Sequence, residues 1–366
     1  MTLPLRKIFA ILIFVFVIGL AVTLLGYRLV VKSLPDYDAT IDIAKLEAET
    51  TVCWDEYKVP HIYAQNENDM FRVAGYLAAQ ERLWQMDILR RAAQGRLSEI
   101  FGEQALESDL FARTWGFFRT AEKLTDSLPQ KTLDALKLYI SGINSFIDSH
   151  QDKLPIEFSI LAYKPEKWKI TDSIAFSRFM AFQLSFTWHL EPVLYLIAEK
   201  VGREKALQLF PEFPKNAPVI VSERSHTNTE ILAEFLDRSR SAKKIFGSNG
   251  TVAVSNSWVI SSQKSATGKP ILANDPHLNL NFPSIWYEMH LVGGNFDVMG
   301  VTFPGVPGVV IGHNRAAAWG LTNGMIDDAD FYFEQINPAD PEQYWDGKSW
   351  QLFKIFREEI KVKDAD

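Results

Sequence analysis

An uncharged, apolar run of about 20 residues near the N-terminus, from Ile8 to Tyr27, constrains its own structure more tightly than any other segment of the chain. A bilayer core is about 30 Å thick, and about 20 apolar residues cross it as a helix because every backbone polar group is then bonded internally. The run therefore predicts a transmembrane helix, which we leave out of the reasoning about the rest of the fold.

The residues on either side of this run bear on its orientation and processing. Arg6 and Lys7 precede it and favour a cytoplasmic N-terminus, although Arg28 and Lys32 beyond it weaken that bias. The exit at residues 24–28 lacks the Ala-x-Ala pattern of a cleaved signal peptide. We therefore expect an uncleaved signal anchor within residues 1–32, with the rest of the chain in a periplasm or outside the cell.

The composition is that of a globular protein and excludes some partners. With 366 residues, of which 47% are hydrophobic, the chain can bury a large core in one or two domains. A net charge of −7 without a basic stripe argues against a nucleic-acid partner. The single cysteine, Cys53, cannot form an intrachain disulfide, so cysteine pairing does not indicate the compartment. We expect no organic cofactor.

Helical periodicity dominates the first part of the chain, and strand alternation dominates the second. Apolar residues recur at helical spacing over about 68–93, 133–148 and 171–201. A polar, turn-rich stretch follows, with a short helix expected at 230–237. Beyond it the apolar residues alternate, which predicts strands near 252–254, 258–260, 271–273, 287–292, 296–301 and 309–311. These patterns alone predict a mixed α and β (α+β) domain.

Ser255-Asn256-Ser257-Trp258 and the following Ala273-Asn274-Asp275-Pro276-His277 are the motifs most indicative of chemistry. An internal serine has no activating base. If the bond before Ser255 were cut, its new α-amino group could serve as the base for its own hydroxyl. Most serines beside a tryptophan simply fill a strand, and that alternative stays open on the residues alone.

The stretch from Ser255 to about Asp330 resembles the start of the β chain in penicillin acylases, which are N-terminal nucleophile (Ntn) hydrolases. The resemblance implies that Ser255 is the nucleophile, with its own amine as the base and Asn256 beside it. His277, 22 positions later, would orient the amine, although a structural histidine after a proline turn is the alternative. Asn323, 68 positions later, would give its backbone N–H to the oxyanion hole.

Segments upstream of Ser255 also resemble this family. They are the stretches at 55–63, 80–87 and 163–168, so that the resemblance runs from about Val52 to the C-terminus with a gap near 215–250. The family's fold, a four-layer αββα sandwich, is therefore expected here in incomplete form. The division implied is an anchor at 1–32, a helix-rich α-chain-like part at 33–212, a spacer at 213–254 and the start of a β-chain-like part at 255–366.

Two further sites follow from the resemblance. The α-chain-like part would carry an acyl-binding pocket, for which Phe179, Met180, Phe182 and Phe186 are candidates, with ordinary core packing as the alternative. Some family members hold a structural Ca²⁺, an ion that prefers oxygen ligands. The matching positions here are the carboxylates and carbonyl of Asp327, Ala329 and Asp330, with Glu191 as a fourth candidate, and an acidic loop facing water is the alternative.

Three features depart from the family pattern. Val254 stands where a small residue, often Gly, precedes the nucleophile, and its bulk would slow cleavage. Ser248 follows Gly247 and is a rival nucleophile, but it lacks a Trp three residues later and its offsets miss His277 and Asn323. The family's β chain is longer by several hundred residues than the part after Ser255, so we expect the chain to be truncated.

Two hypotheses of function follow. In the first, the parent protein is a self-processing amidohydrolase that cleaves an N-acyl amide, such as a β-lactam side chain or an N-acyl homoserine lactone. Its α-like and β-like chains would form a heterodimer held at the membrane. In the second, the chain is a catalytically inactive, membrane-anchored remnant or ligand-binding module. A metal-dependent hydrolase is a weaker third idea because His-Glu-x-x-His spacing is missing.

Overall fold

The computed structural model describes residues 4–185, 187–209, 229–245, 254–278, 280–324 and 329–365. The α-helices are α1 Leu5–Val31, α2 Glu67–Gln94, α3 Ser98–Phe101, α4 Leu106–Trp115, α5 Phe117–Thr125, α6 Gln130–Ser149, α7 Ile156–Ile160, α8 Ile170–Leu184, α9 Leu190–Val201, α10 Arg203–Leu207 and α11 Thr229–Ile245. The strands are β1 Thr51–Trp54, β2 Pro60–Tyr63, β3 Val254–Ile260, β4 Ile271–His277, β5 Tyr287–Gly293, β6 Phe296–Thr302, β7 Ile311–Asn314, β8 Ala318–Trp319, β9 Ile336–Asn337, β10 Asp340–Trp345 and β11 Trp350–Leu352.

The predicted N-terminal helix is present as α1. Within it, residues Phe9–Val31 have a mean hydropathy of 2.9 and expose their apolar side chains along the whole length. By length and composition this helix can cross a membrane, a test that a signal sequence also passes. The described part of the chain contains no second helix of this kind.

The chain divides into two compact units, each built from segments that are not contiguous in sequence. Unit 1 comprises residues 1–90, 124–174 and 281–319. Unit 2 comprises residues 91–123, 175–280 and 320–366. The division predicted from sequence, into anchor, α-chain-like part, spacer and β-chain-like part, describes how the chain would be processed and not how it packs. That division stays a prediction.

Unit 1 contains a six-stranded sheet in the order β1-β2-β5-β6-β7-β8. The β2–β5 pair is parallel, whereas the other neighbours pair antiparallel. On β5 the odd-numbered residues Tyr287, Met289 and Leu291 are buried, and they pack with apolar residues of α2 and α6 in one core. The even-numbered residues of β5 face the other side, as the period of a strand requires.

Helices α2 and α6 approach each other closely in this core. A Cβ on Gly75 would lie 1.9 Å from the Tyr139 carbonyl oxygen, and one on Gly142 would lie 1.9 Å from that of Arg72. Only glycine fits at either position, because such distances are far inside van der Waals contact. The pair of glycines therefore sets the spacing at which the two helices cross.

Unit 2 combines helices with two small sheets, β3–β4 and β11-β10-β9. Its core includes an aromatic cluster around buried Phe111, Trp188 and Leu236, joined by partly buried residues of several helices and of the segment after 328. Antiparallel strands β3 and β4 form a hairpin whose turn includes Gly268 at φ +69°. A positive φ at this position suits glycine, as the turn prediction requires.

The predicted mixed α and β class is confirmed, and several bounds are corrected. The helical region expected over 171–201 is two helices, α8, which ends at Leu184, and α9, which begins at Leu190. The last predicted strand begins at Ile311 rather than Val309. Within the segment predicted to be a spacer, helix α11 buries Leu232 and Leu236. The rest of that spacer, 213–228 and 246–253, lies outside the described residues.

Candidate functional site

The β3–β4 hairpin presents both predicted site motifs on neighbouring strands. Ser255 is paired in register with Pro276, Asn256 with Asp275, and Val254 with His277. His277 is therefore one register position from Ser255 on the adjacent strand. Alternating apolar residues made these strands predictable, but their pairing requires the turn at 265–270.

Ser255 and Asn323 meet although 68 residues separate them. The backbone N–H of Asn323 is directed at Ser255 Oγ, with the nitrogen and oxygen 3.4 Å apart, and both residues are half-buried. A backbone donor at a serine hydroxyl is the arrangement from which an oxyanion hole is built. The structure thus brings these two predicted residues together, while their catalytic roles stay predictions.

Asn274 holds the segment before Asn323 against the nucleophile strand. Its Nδ2 donates to the carbonyl oxygens of Asn256, at 2.8 Å, and Leu321, at 3.0 Å. Its Oδ1 accepts the Leu321 N–H at 2.8 Å. One side-chain amide therefore bonds both strand β3 and the loop that carries the Asn323 donor.

Gly320 makes room for this contact. A Cβ on Gly320 would lie 2.8 Å from the Asn274 Cβ and 2.9 Å from its Oδ1. Any larger residue would push the Asn274 amide away from Leu321, because real Cβ atoms do not approach so closely. Glycine at this position is thus a packing requirement of the candidate site.

The side chain of Asn323 has a separate partner. Its Nδ2 donates to the carbonyl oxygen of Leu184, at 2.5 Å, at the C-terminal end of α8. Helix ends leave carbonyl groups without partners inside the helix, so an amide donor is well placed there. The bond ties the loop of the candidate oxyanion donor to the end of α8.

An aromatic cluster belongs to the same unit as this site. The ring of Phe182, on α8, lies 4.8 Å from that of Trp115 and 5.5 Å from that of Trp188, centroid to centroid. Phe179 and Met180 are buried, as core packing requires, and Phe186 lies outside the described residues. Phe182 therefore joins the cluster directly, and the ring of Phe179 lies 5.7 Å from that of Phe117, which in turn lies 5.3 Å from Phe182.

The two remaining catalytic candidates are more exposed. His277 Nε2 lies 2.6 Å from Asp275 Oδ2, and 43% of the histidine side chain is accessible. Asn256 is exposed and contributes its backbone carbonyl, which accepts from Asn274. Within the described part of the chain, no contact of the Asn256 side chain supports a catalytic role for it.

The calcium candidates fall partly within the described residues. Glu191 lies on α9, and its Oε2 accepts the Phe331 N–H at 3.1 Å. Ala329 packs against the aromatic cluster, and Asp330 is exposed beside it. Asp327 lies outside the described residues. The carboxylate of Glu191 thus reaches the segment that bears the other candidates, and the donor set is oxygen throughout, as Ca²⁺ prefers.

Three features of the site were missed by sequence reasoning. They are the Asn274 amide, the Gly320 contact and the Leu184 carbonyl. Asn274 stands within the motif quoted for His277, and Gly320 lies three residues before Asn323, but nothing in their spacing indicates that they touch. The Leu184 carbonyl belongs to the backbone and has no sequence signal.

Comparison with known proteins finds a matching family and several relatives of this chain. The Penicillin amidase family model matches residues 49–366. Penicillin acylase 2 proenzyme of Pseudomonas sp. (strain SE83) is 33% identical over 310 residues, which are 83% of this chain and 40% of that protein. Acyl-homoserine lactone acylase QuiP of Pseudomonas aeruginosa is 33% identical over 341 residues, 90% of this chain and 40% of that protein. The chain thus spans about two-fifths of the length of these relatives.

Two further matches are more distant. Penicillin G acylase of Escherichia coli is 26% identical over 370 residues, covering 87% of this chain and 44% of that protein. The solved thermostable penicillin G acylase of Alcaligenes faecalis matches at a TM-score of 0.40 and 22% identity, covering 48% of this chain and 98% of that chain.

Proposed function

The chain belongs to the penicillin amidase family, and we propose that it carries the nucleophile of a self-processing amidohydrolase that cleaves the amide bond of an N-acyl substrate. The observation that carries the proposal is the Asn323 N–H directed at Ser255 Oγ. Relatives named as acylases support the reaction class.

Cleavage of the Val254–Ser255 bond would create the nucleophile. An α-amino group has a pKa of about 7.7–8.0 and is partly neutral at physiological pH, where a general base works best. The amine of Ser255 would take the hydroxyl proton, directly or through a water. The hydroxyl oxygen would then attack the substrate carbonyl and form a tetrahedral intermediate. As its C–N bond breaks, the protonated Ser255 amine would give its proton to the leaving amine, and water would hydrolyse the acyl-enzyme that remains, releasing the acid and regenerating the hydroxyl.

The developing oxyanion would receive the Asn323 N–H. In the uncleaved chain this N–H meets Ser255 Oγ at 3.4 Å, so a carbonyl oxygen bound beside Oγ lies within its reach. Loss of one such donor typically costs about 2.7–4 kcal/mol of transition-state stabilisation. The bonds of Asn274 and Leu184 would hold the donor in place without touching substrate.

His277 would orient the new amine. Its register position opposite Val254 puts it beside the amine once the bond before Ser255 is gone. Its present partner, Asp275, would fix the tautomer by accepting from Nε2 and leave Nδ1 to accept a hydrogen bond.

Helix α11 would mask the acyl pocket before processing. The ring of Phe235 lies 5.5 Å from Phe111 and 5.9 Å from Trp188, inside the aromatic cluster. An aromatic side chain of the spacer would thus occupy the pocket in which an apolar acyl group would pack. Removal of the spacer would open that pocket.

Glu191, Ala329 and Asp330, with Asp327, would hold a structural Ca²⁺. The ion would neutralise clustered carboxylates and brace the segment at 329–331 against α9, where Glu191 already binds the Phe331 N–H. Chelation should therefore lower thermal stability, and a midpoint unchanged by chelator and by added Ca²⁺ would exclude the ion.

Acyl preference divides the proposal into two substrate classes. The relatives are named as a penicillin acylase and an acyl-homoserine lactone acylase, and the two classes we propose are β-lactam side chains and N-acyl homoserine lactones. An inactive membrane-anchored module stays the alternative, favoured by bulky Val254 at the bond to be cut.

In either case, we propose that the part of the chain after α1 lies outside the cytoplasm and is held at the membrane by α1.

Replacement of Ser255 tests the proposal. Expressed with any coding sequence that continues in frame, the wild-type chain should yield a product beginning Ser-Asn-Ser-Trp, whereas Ser255→Ala should remain a single precursor. Ser257→Ala, two residues along the same strand and exposed, should process normally. N-terminal sequencing that finds a start at Ser248, or no cleavage of the wild type, would contradict the assignment.

A further inference from the structure

Unit 1 exposes two aromatic side chains at the tips of short loops. Tyr57 lies in the turn between β1 and β2 and is 80% exposed, and Phe282 lies in the loop before β5 and is fully exposed. Single apolar side chains are common on protein surfaces, so exposure alone assigns them no role. Their position distinguishes these two, because both adjoin the place at which the N-terminal helix joins unit 1.

Helix α1 joins unit 1 through residues 32–48, which we call the tether. Residues 32–34 continue the helix as a turn. Tyr37 then packs edge to face on Trp54, with ring centres 5.0 Å apart, and its hydroxyl lies 3.4 Å from a carboxylate oxygen of Glu81 on α2. The six residues from the end of α1 to Tyr37 span at most about 22 Å. The tether therefore meets unit 1 close to the point at which the chain would leave a bilayer.

The tether is fixed at a second point further along α2. The N–H groups of Glu47 and Ala48 donate to the carboxylate of Asp69 at 2.9–3.1 Å, and Asp69 is buried. Asp69 and Glu81 are twelve residues apart on α2, which is about 18 Å along the helix axis. The tether is thus held at both ends, and its end nearer to the membrane is the one at Glu81.

Tyr57 is held beside this end of the tether. The turn after β1 is fixed by Asp55, whose Oδ1 accepts the N–H groups of Tyr57 and Val59, each at 2.9 Å. Lys58 has a φ of +62°, and its Nζ lies 4.8 Å from the centre of the Tyr37 ring. The turn therefore presents Tyr57 in a defined position, one residue from a contact with the tether.

Phe282 is tied to the same part of α2. Gln85 lies one helical turn beyond the first contact of the tether, and its Nε2 donates at 2.9 Å to the carbonyl oxygen of Ser284, two residues after Phe282. At the base of the same loop, Trp286 stacks on Phe303 with ring centres 4.5 Å apart. Both exposed tips are thus held near the point at which the tether meets unit 1.

The surface around the two tips fits a lipid bilayer through apolar contact and not through charge. Aromatic side chains are favoured in the layer between water and hydrocarbon. The tether and the turn carry Asp36, Asp38 and Glu56 as well as Lys32 and Lys58, so this face has no excess of positive charge. Attraction to anionic headgroups would therefore not account for binding, which leaves insertion of apolar groups as its source.

We propose, on the premise that α1 holds the chain at a membrane as in the proposed function, that Tyr57 and Phe282 insert into the interfacial layer of that membrane. Interfacial groups lie about 5–10 Å into the boundary between headgroups and acyl chains. The short tether lets both tips reach that depth while α1 stays in the bilayer. Attachment at α1 and at the two tips would fix which face of unit 1 meets the membrane.

Fluorescent labelling of single cysteines tests the lipid contact. The chain carries Ser255→Ala and Cys53→Ser and is reconstituted, with α1, into phosphatidylcholine nanodiscs. A polarity-sensitive dye at Tyr57→Cys or Phe282→Cys should shift its emission to the blue and be quenched by nitroxides on the acyl chains. At Lys131→Cys, an exposed position beside the N-terminal end of α2, the dye should instead be quenched by aqueous iodide.

Two results of the labelling would overturn the proposal. One is a dye that responds alike at all three positions. The other is quenching by lipid that requires anionic lipid and disappears at high salt, because it would mean that charge and not apolar insertion draws this face to the membrane.

A second measurement places no label at the tips. Energy transfer from a dye at Lys131→Cys to acceptors on the lipid headgroups reports the height of unit 1 above the bilayer. Tyr57→Ser combined with Phe282→Ser should lower the transfer. Ile160→Ser, which removes another exposed apolar side chain of unit 1, should leave it unchanged. Equal transfer in the wild type and the double variant would refute the insertion.

These results are independent of whether the proposed function holds. The reconstituted chain keeps residues 1–32 and is uncleaved before residue 255, so neither removal of that segment in cells nor a lack of self-processing changes the outcome. A chain that floats with the lipid while both tips stay in water would refute the insertion and leave the anchor standing.

Discussion

Asn323 contributes to the candidate site through its backbone, and its side chain explains why that backbone N–H is held in place. Every residue except proline carries an N–H, so donation to Ser255 Oγ does not by itself require asparagine. The Nδ2–Leu184 bond does require a side-chain donor of this length. The residue therefore unites a donor aimed at the nucleophile with an anchor on α8.

Asn274→Ala tests whether the loop before Asn323 is held by its amide. The substitution removes three hydrogen bonds and leaves the Leu321 N–H and two carbonyls without these partners. We expect processing at Ser255, or turnover of the mature enzyme, to slow by about 10²-fold, as misplacement of a catalytic donor typically does. The rate of appearance of the Ser255 N-terminus measures the effect.

A matched pair of variants distinguishes positioning from general destabilisation. Gly320→Ala should reproduce the loss, because its Cβ would collide with the Asn274 side chain. Ser261→Ala, at an exposed position just beyond β3, should not. Equal melting temperatures with unequal rates would identify positioning, whereas unchanged rates in both Asn274→Ala and Gly320→Ala would refute it.

At the level of secondary structure, long periodic segments were predictable and their interruptions were not. Helix α2 spans Glu67–Gln94 against a prediction of 68–93, because its apolar stripe and Gly95 at φ +64° mark its extent and its end. The α8–α9 break has no such marker. Apolar residues continue through it, and buried Trp188 packs into the aromatic cluster there, a contact that only the folded chain supplies.

Helix α11 is longer than predicted, because its second half is stabilised by contacts that the sequence does not reveal. The expected helix at 230–237 extends over Thr229–Ile245. Its polar C-terminal half is stabilised by ion pairs such as that of Arg238 with Glu107, at 3.3 Å. A basic, serine-rich stretch does not predict such a partner on α4.

Phe235→Ala tests the masking role of α11. In the uncleaved Ser255→Ala precursor this change removes the ring that packs among Phe111, Trp115 and Trp188. We expect an aromatic acyl amide to bind at least about tenfold more tightly, because the vacated place is apolar and of ring size. Equilibrium binding by calorimetry or fluorescence would measure it.

Ile231→Ala is the control for this experiment. Ile231 lies one turn earlier on the same helix and is 66% exposed. Its truncation should leave acyl-amide affinity unchanged. Equal effects of the two variants would mean that α11 acts through its stability and not by filling the pocket.

For the whole molecule, packing and processing follow different divisions of the chain. Unit 1 takes its sheet from segments before and after Ser255, since β2 pairs with β5. The segments that would become separate chains are thus joined by backbone hydrogen bonds within one sheet. Cleavage at Ser255 would leave this sheet intact.

The N-terminal helix predicts the behaviour of the whole chain in cells. With residues 1–32 present, the protein should remain in the membrane pellet after carbonate washing, because α1 is long and apolar enough to span a bilayer. Deletion of residues 1–32 should release it into the supernatant. A mature product that lacks residues 1–32 in wild-type cells would show instead that the segment is a cleaved signal.

The sequence alone determined the apolar N-terminal helix, the mixed α and β class and the long amphipathic helices, because these depend on local periodicity. Its resemblance to a known family supplied Ser255, His277 and Asn323 as candidate site residues, and their roles stay predictions. Only the tertiary structure decided that Asn274 and Gly320 fit together, that Asn323 reaches Leu184, and that His61 faces His290. These contacts join residues far apart in sequence. Their distances arise from strand register and packing, and neither leaves a periodic trace in the chain.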